Sequence, residues 1–104
     1  MIIQYKQANM EIKKILNGVD YKGEFNDFDV KNISYDSRKV TNGTLFVAVK
    51  GKNFDGHDFI DEAIKNGAIA IIKNENSKRN PGIIEVEVKD TRKTLSKLAN
   101  NFFN

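Results

Sequence analysis

Apolar residues along the chain form short runs whose spacing alternates between a strand period of two and the longer period of a helix. Strand patterns occur at residues 30–35, 44–49, 68–72 and 83–88. Helical patterns occur at residues 10–16, from residue 57 to the Asn66-Gly67 stop signal, and from residue 91 onward. Residues 19–29 fit an irregular connection, in which Phe25 and Phe28 are expected to pack inward. This alternation predicts an α/β fold.

The strongest strand pattern is at residues 44–49, where a continuous apolar and β-branched run predicts burial on both faces. A glycine-rich turn, a helix and the 68–72 strand follow it. Such a strand-helix-strand unit crosses over right-handed and makes the two strands parallel neighbours. The buried face of its helix is expected to carry Phe59, Ile60, Ala63 and Ile64.

The last two elements have simpler patterns. Residues 83–88 alternate apolar and acidic positions, which predicts an edge strand or a half-exposed one. Asp90 or Thr91 then provides an N-cap for the final helix. One face of that helix is expected to carry Leu95, Leu98, Ala99 and Phe102.

Composition limits the possibilities to one small domain. A chain of 104 residues with 39% hydrophobic content is long enough for one core. It has no cysteine and one histidine, which excludes disulfides and thiolate metal sites and argues against zinc. The net charge of +3 is spread along the chain and favours anionic ligands weakly. Residues 1–3 begin no export signal and no apolar run approaches the ~18 residues of a spanning helix, so a cytoplasmic location is expected.

The first candidate for chemistry is Asp36-Ser37-Arg38, directly after the 30–35 strand. An acceptor, a hydroxyl and a guanidinium together can bind a nucleobase edge, a sugar hydroxyl or a phosphate. Asp-Ser is also a common turn pair whose side chains bond nearby backbone N–H groups. The triplet alone favours this structural interpretation.

The second candidate is the turn at residues 51–56, Gly-Lys-Asn-Phe-Asp-Gly. Its glycines allow close backbone approach, Lys52 brings positive charge and Phe54 offers a flat face for stacking, which together suit a nucleotide. The alternative is an ordinary strand-to-helix connection in which Asp55 or Asp58 caps the helix. Neither the phosphate-binding G-x-x-x-x-G-K-[ST] order nor G-x-G-x-x-G is present, so no triphosphate hydrolysis is expected.

His57 lies at the entrance to the helix, where it can donate to an anion or make a structural hydrogen bond, and the structural role is favoured. Nothing in the spacing of Asp36, Ser37 and His57 fixes their distances, so no catalytic triad can be argued. We therefore expect neither catalysis by this chain alone nor a metal site.

Six segments taken in order carry a family resemblance over residues 30–103: ISYDSRKV, NGTLFVAVKG, FDGHDFI, AIKNGAIAII, VKDTR and LANNFF. Together they closely resemble the N-terminal domain of the Mur ligases of peptidoglycan synthesis. The resemblance is greatest to the UDP-N-acetylmuramoyl-tripeptide synthetase branch, and the dipeptide-adding branch is close kin.

The resemblance implies a small α/β domain that holds the UDP part of UDP-N-acetylmuramoyl-L-alanyl-D-glutamate. In that family a central domain binds ATP and magnesium, and a third domain helps to select the amino acid. By motif, Tyr35 and Ser37 would meet the uridine, although the family often has Leu at the position of Tyr35. The loop closing over the uracil would contain Lys52, Asn53 and Phe54, with support from Asp36, Arg38, Asp55, Gly56 and His57.

The combined expectation is one three-layer α/β domain, residues 1–104, with a mixed, largely parallel sheet. It would be the non-catalytic UDP-substrate-recognition domain of a cytoplasmic ATP-dependent ligase that adds L-lysine or a diamino acid as the third residue. No cofactor would bind here, because ATP and Mg²⁺ would belong to the absent central domain. Its partners would be the UDP-linked substrate and the missing domains, with no nucleic acid or membrane. The alternatives are the dipeptide-adding branch, a nucleic-acid module suggested by the pI near 9.1, and a protein-interaction domain.

Overall fold

The computed structural model describes residues 9–104 and contains a four-stranded parallel sheet covered by helices on both faces. The strands are β1 (Met10–Glu11), β2 (Asp29–Val30), β3 (Asn32–Ser34), β4 (Thr44–Val47), β5 (Ala68–Asn74) and β6 (Ile84–Val88). The helices are α1 (Ile12–Ile15), α2 (Ile60–Lys65) and α3 (Thr91–Phe103), with 3₁₀ turns at Ser37–Lys39 and Gly56–Phe59. The main sheet has the order β3-β4-β5-β6, while β1 and β2 form a separate antiparallel ribbon.

Every pairing within the main sheet is parallel, which confirms the predicted α/β fold. All four residues of β4 are buried, as its continuous apolar pattern predicts. β6 lies at the edge with only part of its surface covered, as its alternating pattern predicts. Antiparallel pairing occurs in the β1–β2 ribbon and in an isolated bridge between Lys22 and Glu87 beside that edge. The antiparallel pairing of the predicted mixed sheet is therefore limited to the ribbon and to isolated bridges, one of which contacts β6.

Two cores, one on each face of the sheet, make the fold three-layered. Because side chains alternate along a strand, Leu45 and Val47 face one core while Phe46 faces the other. The first core contains α1 and α3 and includes Ile12, Ile15, Ala70, Ile72, Val86, Val88, Leu98 and Phe102, with Phe25 and Phe28 packed against it as predicted. The second contains α2 and includes Val40, Ala48, Ile60, Ala63 and Ile71.

Tertiary pairing changes the two predicted elements nearest the amino terminus. The predicted 10–16 helix is wrong at its start, because Met10–Glu11 pairs with β2 and only Ile12–Ile15 is helical. The predicted 30–35 strand is divided at Lys31, whose N–H donates to the carbonyl of Gly43 at 2.9 Å. The predicted absence of an export signal at residues 1–3 lies outside the described residues.

Smaller corrections concern the central unit. The predicted 44–49 strand ends at Val47, and the 68–72 strand continues to Asn74. The helical pattern from residue 57 begins as the 3₁₀ turn Gly56–Phe59, so the α-helical period starts only at Ile60. Phe59 is therefore 38% exposed rather than buried on the helix face.

A buried ion cluster organises the connection after β5. The side chain of Lys73 is 1% exposed, and its Nζ lies 3.1 Å from Glu85 and 3.8 Å from Glu87 on β6. The same ammonium donates to the carbonyls of Lys78 at 2.9 Å and Ser77 at 3.4 Å. Four oxygen partners therefore compensate a charge that is otherwise costly to bury.

Candidate functional site

The candidate residues lie in the loops that follow the carboxyl ends of two adjacent parallel strands. Residues 35–38 follow β3 directly, and residues 48–56 follow β4. This edge of an open α/β sheet is where ligands usually bind, because the loops there carry free polar groups on a rigid base.

Asp36 and Arg38 brace the first segment. Asp36 caps the turn Ser37–Lys39 by accepting from the Arg38 backbone N–H at 3.0 Å. The Arg38 guanidinium donates to the same carboxylate through Nε at 3.0 Å and Nη2 at 2.9 Å, a two-point pair. The side-chain hydrogen bond from Arg38 holds the pKa of Asp36 below its ordinary value. Both side chains are thus engaged with each other at the surface.

Ser37 and Tyr35 are the members of this segment that remain available. Ser37 is 6% exposed, and its carbonyl accepts from Asn66 Nδ2 at 2.9 Å, which fixes the turn against the end of α2. The Ser37 hydroxyl makes no hydrogen bond with residues 9–104. Because every fully buried side-chain polar atom in that range has a hydrogen-bond partner, this unbonded hydroxyl is not fully buried and contacts solvent. Tyr35 is 58% exposed. The segment therefore offers a hydroxyl and an aromatic ring.

The second segment, residues 51–56, is a closed loop. The Gly51 N–H donates to the carbonyl of Phe54 at 2.7 Å, and the Gly56 N–H donates to that of Val49 at 2.8 Å. A Cβ on Gly56 would lie 2.6 Å from the backbone nitrogen of Val49, so only glycine fits there. These bonds leave three exposed side chains at the tip: Lys52, Asn53 and Phe54.

His57 joins this loop to the sheet. Asp55 Oδ1 accepts from the His57 backbone N–H at 3.0 Å and lies 2.7 Å from ring Nδ1. Ring Nε2 accepts from the Asn74 N–H at 3.0 Å, so the ring proton is on Nδ1. Burial would raise the pKa of Asp55, but the bonds from His57 outweigh it and hold that pKa below its ordinary value. Asp55, rather than Asp58, caps the turn.

Three contacts that sequence reasoning missed also shape this edge. The ring of Phe59 meets the ring of Phe54 edge-on, with centroids 6.1 Å apart. Arg92 on α3 donates to the carbonyl of Lys50 at 2.8 Å, and the Asn74 side chain accepts from the Thr91 N–H at 2.9 Å. Each joins positions that are far apart along the chain or in different elements, so no local motif marks them.

The two candidate segments are neighbours in the topology but make no direct bond. Within residues 9–104 no hydrogen bond or ion pair joins residues 35–38 to residues 51–57. That range also holds no group of three or more His, Cys, Asp or Glu side chains able to bind a metal, and no helix in it is long and apolar enough to cross a membrane. The structure thus shows two separate polar surfaces on one sheet edge.

Comparison with known proteins decides the family. The model of the family described as "Mur ligase family, catalytic domain" matches residues 29–103. The chain belongs to the Mur ligase family. It is 47% identical over 98 residues to the UDP-N-acetylmuramoyl-L-alanyl-D-glutamate–2,6-diaminopimelate ligase of Clostridioides difficile, and 42% identical over 94 residues to that of Alkaliphilus metalliredigens. These alignments cover 91% and 90% of this chain but only 20% and 19% of the relatives.

Solved Mur ligases share the fold. A crystal structure of MurF from Acinetobacter baumannii superposes with a TM-score of 0.76 at 25% identity, covering 93% of this chain and 21% of that one. MurF from Thermotoga maritima in complex with ADP gives 0.59 at 47% identity, over 67% of this chain and 16% of that one. The predicted resemblance to the Mur ligase N-terminal domain is confirmed, and the chain spans about a fifth of the length of its relatives.

Proposed function

We propose that this Mur ligase domain holds the UDP part of UDP-N-acetylmuramoyl-L-alanyl-D-glutamate for a ligase that adds the third amino acid of the peptidoglycan precursor. The observation that carries the proposal is the pair of loops after β3 and β4, in a chain 47% identical to a ligase named for that substrate. Braced backbones with free side chains at the carboxyl edge of a parallel sheet suit a small polar ligand.

Phe54, Ser37 and Lys52 each have a chemical role in this proposal. Phe54 is 57% exposed and is held edge-on by Phe59, so its free face can stack on the uracil ring. The Ser37 hydroxyl can bond the uridine, and the exposed Tyr35 ring lies two residues earlier in the same segment. Lys52 at the loop tip supplies a charge for the diphosphate, although its solvent exposure makes that contribution sensitive to salt.

In this proposal the domain binds and orients the substrate rather than performing chemistry. The 51–56 loop is closed by two backbone hydrogen bonds of its own and lacks the Gly-Lys-Ser/Thr order that holds a triphosphate, so we assign it to the UDP end of the substrate rather than to ATP. We place ATP and its metal in a central domain of the same cytoplasmic polypeptide. Binding energy from the remote UDP group would then serve the reaction by fixing the substrate's position.

The dipeptide-adding branch is the second candidate, because solved MurF ligases match this fold. UDP is common to both branches, so binding of UDP alone does not distinguish them. Joining the domain to the remainder of the ligase and offering diaminopimelate, L-lysine or D-alanyl-D-alanine would decide the branch. We expect the third-residue amino acids to be used.

A UDP titration of two matched variants tests the binding claim. Phe54→Leu should weaken UDP binding about fivefold to tenfold, because base stacking on an aromatic ring contributes about 1–3 kcal/mol and leucine keeps part of the apolar contact. Phe103→Leu is the control, since Phe103 is also 57% exposed but lies on α3. Equal effects of the two changes would contradict the proposed site.

A salt series separates this proposal from nucleic-acid binding. Affinity for UDP should fall gently between about 50 and 200 mM salt, whereas binding to a phosphate backbone would fall by orders of magnitude. Tight, steeply salt-dependent binding of single-stranded RNA together with no UDP binding would support the nucleic-acid alternative.

A further inference from the structure

His57 is the one titratable side chain within residues 9–104 that connects the 51–56 loop to another strand. Its Nδ1–H faces Asp55 at 2.7 Å on the loop side, and its Nε2 accepts from the Asn74 N–H at 3.0 Å on the sheet side. The ring is 14% exposed, so few waters can replace either partner. Asn74 in turn accepts from the Thr91 N–H that begins α3. One imidazole therefore joins the loop, β5 and α3.

This arrangement requires a neutral ring. An imidazolium carries protons on both nitrogens, so Nε2 would point a second donor at the Asn74 N–H, and two donors cannot bond each other. Asp55 would still accept from Nδ1, because a carboxylate binds either form. Protonation therefore breaks the bond on the sheet side and keeps the one on the loop side.

The charges around the ring are of both signs. Asp55 belongs to the loop, while Asp58 lies on the 3₁₀ turn, Asp61 on α2 and Lys78 on the connection after β5. The positive charge of Lys50, which directly precedes the loop, also lowers the pKa of Asp55. These residues line or adjoin a cleft of about 200 Å³ next to the ring, through which a proton from solvent can reach it.

We propose that His57 is a positioning residue: in its neutral form it fastens the 51–56 loop to β5 in the conformation that binds the uracil, and its protonation releases the loop. The identity of the ligand rests on the proposed function. The coupling between the His57 ring and the loop rests only on the hydrogen bonds described above. It adds a pH-dependent substrate affinity to this Mur ligase domain.

The coupling is tested without ligand by ¹⁵N NMR of the whole chain between pH 8 and pH 5. At pH 8 the imidazole nitrogens should report the Nδ1–H form. As pH falls, the amides of Asn74, Lys52 and Phe54 should shift with the same midpoint as the His57 ring. An Nε2–H ring at pH 8, a ring that keeps its Nδ1–H form down to pH 5, or loop amides that stay fixed while the ring gains a proton would overturn the proposal.

The consequence for binding is tested with UDP-N-acetylglucosamine. Its diphosphate is esterified at both ends, so unlike UDP it has no phosphate group that ionises near pH 6 and its own charge stays constant. Its affinity should fall at least about fivefold on acidification, the lower end of the cost of a lost acceptor. In His57→Gln the affinity should be nearly independent of pH, because Gln Oε1 reaches the Asn74 N–H and does not titrate. His57→Asn keeps only the Asp55 bond and should bind weakly at both pH values.

The outcomes separate the two proposals. A wild-type profile that matches that of His57→Gln would contradict the role of His57. Absence of nucleotide binding by the wild-type chain at pH 8 would contradict the proposed function, and the ligand-free titration would then decide the coupling by itself.

Discussion

Replacing Lys73 by methionine tests whether the buried ion cluster holds the connection after β5. Methionine keeps most of the side-chain volume and removes the ammonium, so the change isolates the charge. In the wild-type chain that ammonium is 1% exposed and lies 3.1 Å from Glu85, whose side chain is 10% exposed. Its loss leaves the Glu85 carboxylate without its cation and the carbonyls of Ser77 and Lys78 without their donor.

The magnitude follows from which partners remain. Breaking a buried ion pair by removing one member costs about 3–5 kcal/mol. Glu85 keeps hydrogen bonds from the backbone and side-chain N–H groups of Asn80, and it retains some contact with water. We therefore expect Lys73→Met to lower the free energy of unfolding by about 3 kcal/mol, the lower end of that range.

Urea unfolding followed by far-ultraviolet circular dichroism measures this loss, since the chain has no tryptophan. Lys22→Met is the control, because the Lys22 side chain is 73% exposed in its 3.7 Å pair with Glu75, and the change should alter stability by less than about 1 kcal/mol. Adding Glu85→Gln to Lys73→Met should restore part of the loss, because the stranded charge is removed. Equal effects of Lys73→Met and Lys22→Met would refute the reasoning.

Two further changes probe the loops and the carboxylates. Gly56→Ala should cost about 2 kcal/mol or more in urea unfolding, since its Cβ would lie 2.6 Å from the Val49 nitrogen, and a loss below about 0.5 kcal/mol would contradict that contact. Burial raises the pKa of Asp55 and Glu85, but their hydrogen bonds outweigh burial and hold both pKa values below the ordinary range. The side-chain hydrogen bond from Arg38 likewise lowers the pKa of Asp36. Their stabilisation is therefore present above about pH 4 and is lost below it, so stability unchanged down to about pH 2.5 would be the contrary result.

Local patterns predicted the elements that carry their own signals. The 44–47 run is continuous and β-branched, and helix α3 combines strict periodicity with an N-cap, where Asp90 accepts from the Lys93 N–H at 3.1 Å. The candidate loops could also be predicted, because two glycines and a polar triplet follow consecutive strands. Short-range information suffices for such features.

The features that sequence reasoning missed depend on distant partners. Met10–Glu11 is a strand only because it pairs with Asp29–Val30. A lysine at position 73 ordinarily indicates an exposed strand end, and its burial depends on two acids from β6. The Asn74 N–H that fixes His57 is 17 residues away along the chain. No window of local sequence contains both members of such pairs.

The most direct test of the central claim is an amide NMR titration of this chain with UDP at neutral pH. Binding at the carboxyl edge of the sheet predicts saturable shifts at Ser37 and throughout residues 52–56, with smaller effects at Asn74 through His57. The amides of the β1–β2 ribbon should stay fixed. Shifts confined to that ribbon or to the end of α3, or no shifts at millimolar UDP, would contradict the account.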